Sequence, residues 1–191
     1  MNRYQHTYRI SSSRMQNWDY RWDAAYFITI CTQNQEHFFG EIENDKMHLS
    51  GVGILADVFW HEIPNHSPNV ELGQFVVMPN HIHGILVLNG NTSNPADQNV
   101  ETLHATSLHP DHAFYSGISP KSNSVSVLIR SYKSAVTKHN NRLGLCPKFR
   151  WQARFHDHII RDEIEFQKIK RYIQTNPENW KNDKFFNNSN I

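Results

Sequence analysis

Val76-Val77-Met78-Pro79-Asn80-His81-Ile82-His83-Gly84-Ile85-Leu86-Val87-Leu88 is the stretch on which the fold turns. With the apolar residues from Val70 onward it reads as a strand to Met78, a tight turn at Pro79-Asn80, and a second strand from His81 to Leu88. Alternate residues of a strand share a face, so His81 and His83 point the same way while Ile82 points oppositely, into the core. Two imidazoles side by side on a rigid strand supply two-thirds of a facial metal site. Left buried and unpaired, they would be costly. Gly84 beside them reads as room for a ligand or a second backbone.

Working outward, Ala24 to Thr32 is rich in β-branched and aromatic residues and reads as a central strand. Short pieces around His37 to Glu41 and Lys46 to Leu49 suggest a hairpin. Ser50 caps a helix with apolar positions Val52, Leu55, Val58 and Phe59, which Pro64 stops. On the other side, residues 90–122 are rich in Asn, Ser, Thr, His, Pro and Gly, the texture of a long irregular insertion. A helix from about Ser124 gathers Val125, Leu128, Ile129, Tyr132 and Val136 on one face and Arg130, Lys133, Thr137 and Asn141 on the other. Leu143-Gly144 ends it. Phe149-Arg150-Trp151 and Phe155 to Arg161 suggest a further strand with a bend. Asp162 then caps a helix with Phe166, Ile169 and Ile173 on its buried stripe, and Asn176-Pro177 ends or interrupts that helix by pushing the residue before proline away from helical geometry. The order strand, helix, strand, strand, helix, strand, helix points to an α+β sandwich on an antiparallel sheet, in a single domain spanning 1–191.

The chain has 191 residues, 38% hydrophobic and 19% charged, which excludes a disordered tail and a membrane protein. The first residues lack the apolar core of a secretory signal, and the two distant cysteines, Cys31 and Cys146, form no Cys-x-x-Cys pair, so a cytoplasmic setting is expected. Net charge is only +1, but Lys121 to Arg171 holds twelve basic and four acidic residues. That concentration of positive field suits a phosphate backbone, with Arg130, Lys133, Lys138, Arg142 and Arg154 as candidate contacts, and equally describes a solvated surface. Trp151 or Tyr132 could stack on bases, although burial is the commoner fate of such rings.

Tyr172 and Asn176 are four residues apart and share a helix face, which could set a nucleophile beside a third metal ligand. Periodicity alone favours packing for the tyrosine and a cap for the asparagine. Three motifs in order shift that balance. Pro79-Asn80-His81-Ile82-His83-Gly84, then Trp151-Gln152-Ala153-Arg154-Phe155-His156-Asp157-His158-Ile159-Ile160-Arg161, then Tyr172-Ile173-Gln174-Thr175-Asn176-Pro177 together resemble the REP-associated tyrosine transposases. These belong to the broader HUH endonucleases and share the IS200-like transposase fold. The resemblance runs from Ala24 to about Trp180.

What the resemblance implies is a ferredoxin-like antiparallel sheet flanked by helices, with the paired histidines on a central strand and the tyrosine on a helix docked across them. It implies a DNA transposase or endonuclease that cleaves and rejoins single-stranded or hairpin DNA through a 5′-phosphotyrosine. Tyr172 would be the nucleophile, His81 and His83 metal ligands, and Asn176 the third ligand, a position where related insertion-sequence transposases often carry glutamine. His158 is the rival ligand, or a group orienting the phosphate. Mg2+ or Mn2+ suits such a mixed, open coordination set. The partner would be DNA rather than a membrane, and the protein a monomer or a homodimer that exchanges the tyrosine helix. The alternative is a non-catalytic DNA-hairpin-binding relative of the same fold.

Overall fold

The computed structural model describes residues 18–89 and 124–186, together with a short backbone pairing of Arg3–Tyr4 with Thr7–Tyr8. The expected 90–122 insertion lies outside the described residues.

Four strands make the main sheet: β1 (Ala24–Cys31), β4 (Val70–Val77), β5 (His81–Leu88) and β6 (His156–Ile160). Between the first two lie the hairpin β2 (Gly40–Glu43) and β3 (Lys46–Leu49), helix α1 (Gly51–His61) and one helical turn, α2 (Ile63–His66). Helix α3 (Val125–Leu143) precedes β6, and α4 (Glu163–Thr175) follows it. The sheet order is β4-β5-β1-β6, with every neighbour antiparallel. This is the α+β, ferredoxin-like arrangement that the sequence led us to expect.

Strand parity divides the molecule. The even residues Tyr26, Ile28, Ile30, Ile82, Leu86 and Leu88 pack into a core with Val52, Ala56 and Trp60 of α1 and with Val125, Leu128, Ile129, Tyr132 and Val136 of α3. The odd residues Ala25, Phe27, Ile85 and Val87 pack instead against Phe166, Ile169 and Ile173 of α4. So α1 and α3 cover one face and α4 the other. Registers of Thr29 against His83 and Cys31 against His81 put the histidines on the α4 face, at the end where β1 finishes and β5 begins.

Local chemistry accounts for the helix ends. The Ser50 side chain accepts from the Gly53 amide at 3.1 Å, and Asp162 from the Glu165 amide at 2.8 Å. Gly144 ends α3 at φ 63°, a left-handed conformation that glycine adopts freely.

Several expectations are corrected. Pro64 does not stop α1, which ends at His61; it sits in the first turn of α2, where a missing N–H costs nothing. Val58 is exposed, and Trp60 takes the inward position instead. Phe149-Arg150-Trp151 is not strand: Trp151 makes one isolated bridge to Thr32, and the strand is confined to His156–Ile160. Asn176 keeps helical geometry (φ −61°, ψ −41°) despite the following proline. The chain goes on turning there because the Asn179 amide donates to Thr175 O and Asn176 O, both at 3.1 Å.

Candidate active site

Gly84, expected to leave space beside the histidines, points to the opposite face. A Cβ there would lie 2.3 Å from Trp60 Cζ2, so the missing side chain admits the indole, which stacks on Phe75 at 4.7 Å.

His81 and His83 are 0% and 1% exposed, with ring centroids 4.5 Å apart. Asn80, itself 0% exposed, fixes the first ring. Its Nδ2 donates to Gln35 O at 3.1 Å and Phe185 O at 2.8 Å, so Oδ1 is left facing His81 Nδ1 at 2.9 Å. An acceptor there demands the proton on Nδ1, which leaves the Nε2 lone pair free. That Nε2 is buried and has no hydrogen-bond partner among the described residues. For His83, Nδ1 meets Thr29 Oγ1 at 2.9 Å and Nε2 meets the Tyr172 hydroxyl at 3.1 Å. Burial, reinforced by the Lys184 charge, pushes the His81 pKa down to about 3, and burial beside His81 holds His83 well below the usual histidine range. Both rings are therefore neutral, the form that donates a lone pair to a metal.

Helix α4 delivers the rest from the same chain. Tyr172 is 39% exposed, yet its hydroxyl reaches His83 and also donates to Asp183 Oδ2 at 3.2 Å. Burial, with the Asp183 carboxylate next, raises its pKa to about 12. Asn176 is 2% exposed; its Nδ2 donates to Asp183 Oδ2 at 2.9 Å, and its Oδ1 is buried without a partner among the described residues. The Asn176 side chain favours a proton on His81, but His81 keeps its proton on the other nitrogen. Two buried acceptors, Nε2 of His81 and Oδ1 of Asn176, thus have no hydrogen to share.

Asp183 is the residue that sequence reasoning missed. His81, His83 and Asp183 offer ligand atoms all within 4.8 Å of one another, a group that could hold a metal ion. Two neutral imidazoles, a carboxylate and an orphaned amide oxygen fit a divalent cation. Asp183 follows the 3-10 turn Trp180–Asn182, is bonded through Oδ1 to the Phe185 amide at 2.7 Å, and is held down by the Asn80–Phe185 bond. Trp180 and Phe185 roof His81 at ring distances of 6.0 and 4.5 Å. Lys184 adds a cation beside the site, its Nζ 4.7 Å from the Phe185 ring centre.

Other expected site residues lie elsewhere. His158 is on the same sheet face, opposite Phe27, but its Nε2 pairs with Glu165 Oε1 at 2.7 Å, outside the His81–His83–Asp183 group. The Arg161 amide and then His158 hold Glu165 below the usual carboxylate range. Arg130, Lys133, Lys138 and Arg142 ride on α3, across the sheet from Tyr172. Of these, Lys133 is engaged, donating to Gln152 O with its Nζ 5.6 Å from the Trp151 ring centre. Arg154 is exposed before β6. Tyr132 cannot stack on a base: it is 3% exposed and donates to Ala56 O at 2.8 Å. Trp151 is half-buried, its indole N–H shared between Lys133 O and Thr137 Oγ1, both at 3.1 Å.

A four-stranded antiparallel sheet flanked by helices is the class of fold seen in a REP-associated tyrosine transposase bound to a REP hairpin. That structure aligns with TM-score 0.54 and 18% identity, over 90% of this chain and 74% of that one. The chain thus has the fold of the REP-associated tyrosine transposases. In sequence it is 33% identical over 175 residues to an uncharacterized protein of Haemophilus influenzae, covering 92% of each chain. The chain belongs to one family with that protein. No family model matches it. Among the described residues, no helix is long and apolar enough to cross a membrane.

Proposed function

We propose that the protein is a metal-assisted, single-tyrosine DNA strand-transfer enzyme, a transposase or endonuclease acting on single-stranded or hairpin DNA. The observation that carries this reading is the meeting of Tyr172 Oη with His83 Nε2 at 3.1 Å, beside the unpartnered Nε2 of His81. A packing tyrosine has no need of that position, whereas a nucleophile belongs next to the group that binds its target phosphate.

His81 and His83 through Nε2, with Asp183 and Asn176 Oδ1, would hold Mg2+ or Mn2+, Asp183 entering beside the expected Asn176. A cation held there would withdraw charge from the nonbridging phosphate oxygens and so ease nucleophilic attack. Asn80 and Thr29 hold the Nδ1 atoms, aiming both Nε2 atoms at one point. A free phenol with its pKa raised to about 12 is a poor nucleophile near neutrality. Asp183, already the acceptor of the phenol proton, is placed to take it as the Tyr172 oxygen bonds to phosphorus. The P–O3′ bond breaks, that proton passes to the departing oxygen, and the products are a 5′-phosphotyrosine and a free 3′-hydroxyl. Attack by a 3′-hydroxyl on the phosphotyrosine reverses the step and joins strands without ATP. The Lys184 ammonium suits the incoming phosphate.

The test is a hairpin oligonucleotide with a single-stranded flank, labelled at either end and incubated with Mn2+ or with chelator. The proposal expects a denaturation-resistant protein adduct carrying the 3′ fragment, dependent on metal and absent in Tyr172→Phe. Metal-independent binding without cleavage across a panel of hairpins would favour the non-catalytic DNA-binding alternative.

A further inference from the structure

The side of the sheet away from Tyr172, covered by α1 and α3, carries features that strand transfer does not use. Among the described residues eight large hydrophobic side chains are exposed, and five of them lie on α1 or on the segments beside it: Leu49, Ile54, Val58, Leu143 and Leu145. That is a patch rather than the single apolar residues that any surface shows.

The patch is held in place. Ile54 and Val58 are one turn apart on the outer side of α1. Leu145 lies over the first turn of the same helix, since a Cβ added to Gly51 would be 3.2 Å from Leu145 Cδ1. The turn that carries Leu145 is fastened from inside. Asn140, 1% exposed, accepts the Cys146 amide on Oδ1 at 3.0 Å and donates through Nδ2 to Cys146 O at 2.9 Å. Apolar groups fixed in water lose solvation free energy that a covering partner would recover.

Charge selects the partner. From Met47 to Asn89 the chain has Asp57, Glu62 and Glu71 and no Lys or Arg. Helix α3 is the converse, with Arg130, Lys133, Lys138 and Arg142 and no acid. Lys133 is turned to Gln152 O and the Trp151 ring, while Arg130, Lys138 and Arg142 are exposed. The face is therefore apolar and acidic along α1 and basic along α3, which makes it complementary to itself. A two-fold axis between the helices sets α1 of one copy on α3 of the other, and symmetry repeats the contact. Stacking α3 on α3 would bring basic rows together, which their charge opposes. A nucleic acid would suit α3 but would set Ile54, Val58 and Leu145 against phosphates.

We propose that the α1–α3 face is the interface of a two-fold homodimer of this chain. Each Tyr172 helix stays on its own sheet, and the two histidine sites face outward on opposite sides of the pair. The inference is independent of the strand-transfer reading.

The experiment is sedimentation equilibrium of the full chain over a concentration series. The wild type is expected to reach twice the chain mass and to dissociate on dilution, sooner at high salt. Ile54→Asp with Val58→Asp, both at exposed positions, should weaken the dimer by at least about tenfold with the melting temperature of the monomer unchanged. Arg130→Glu with Arg142→Glu should weaken it too, as should Asp57→Lys with Glu62→Lys; Glu62→Lys alone replaces the second pair if that pair lowers the melting temperature. Mixed in equal amounts, the two charge-swapped chains should associate again, because both α1–α3 contacts then join opposite charges. A wild type that stays monomeric at its highest soluble concentration overturns the inference. So does a dimer unmoved by the Ile54 and Val58 changes, as exchange of the Tyr172 helix would give, or a mixture no more associated than its components. A monomer that loses hairpin binding on Arg130→Glu with Arg142→Glu also overturns it, and gives α3 to DNA instead.

Discussion

Replacing Asn80 by alanine would remove one side chain that serves three buried groups. Gln35 O and Phe185 O would each lose a donor, and the His81 Nδ1 proton its acceptor. A buried partner left unsatisfied costs on the order of 1 kcal/mol or more, so the sum is about 3 kcal/mol, with water reaching Gln35 O most easily. The bonds from the Thr32 amide and side-chain hydroxyl to the main-chain Asn80 O survive the change and keep the turn in place. The second effect is local. With Phe185 released, Asp183 loses its anchor, and His81 loses the bond that fixes its tautomer. Metal affinity should then fall by roughly 10–100-fold, the usual result of deleting a partner behind a ligand. Urea denaturation with chelator present measures the first effect, and Mn2+ titration well below the unfolding midpoint measures the second. A stability loss below about 1 kcal/mol with unchanged Mn2+ affinity would refute the claim that Asn80 organises this end of the site.

Gly84→Ala should destabilise by about 1–3 kcal/mol in urea denaturation, since its Cβ meets Trp60, but leave Mn2+ binding intact. Reduced Mn2+ affinity at equal folding would restore Gly84 to the metal face. Asp183→Asn should weaken Mn2+ binding by more than the ~10-fold typical of losing a group behind a ligand, and adduct formation with it; undiminished binding would return the third-ligand role to Asn176 alone. In chelator, acid should unfold the protein early. His81 has a folded pKa of about 3 against 6.5 when free, so its contribution is complete above pH 6.5 and is lost as pH falls towards 3, by about 1.4 kcal/mol per unit. His81→Gln should flatten that slope, and an unchanged slope would contradict the buried neutral ring.

Much of this was legible because strands write their two faces into alternate residues. His81 and His83 are on one face for the same reason that Tyr26, Ile28 and Ile30 are on the other, and the Val125 to Val136 stripe announces its buried side equally plainly. Gly84 was misread although its parity, opposite to that of the histidines, contained the answer. Asp183 was less accessible. It lies beyond Pro177 in a turn with no periodic pattern, and a long-range bond from Asn80 to the neighbouring Phe185 O, with a local one from Asn176 to Asp183 itself, brings it to the site. The nearest sequence signal is the apolar cluster Trp180, Phe185 and Phe186, too rich for a free tail. The basic helix face was easy to see but hard to place, because charge along a helix does not say on which side of a sheet the helix packs.

The covalent bond to Tyr172 is the most direct point of test. Wild-type protein incubated with Mn2+ and a hairpin bearing a single-stranded flank should be digested and the nucleotide-bearing peptide identified by mass spectrometry. The modification is expected on Tyr172, as a phosphodiester to the 5′ end of the downstream fragment. A nucleotide on any other residue, or an adduct that persists in Tyr172→Phe, would contradict the account.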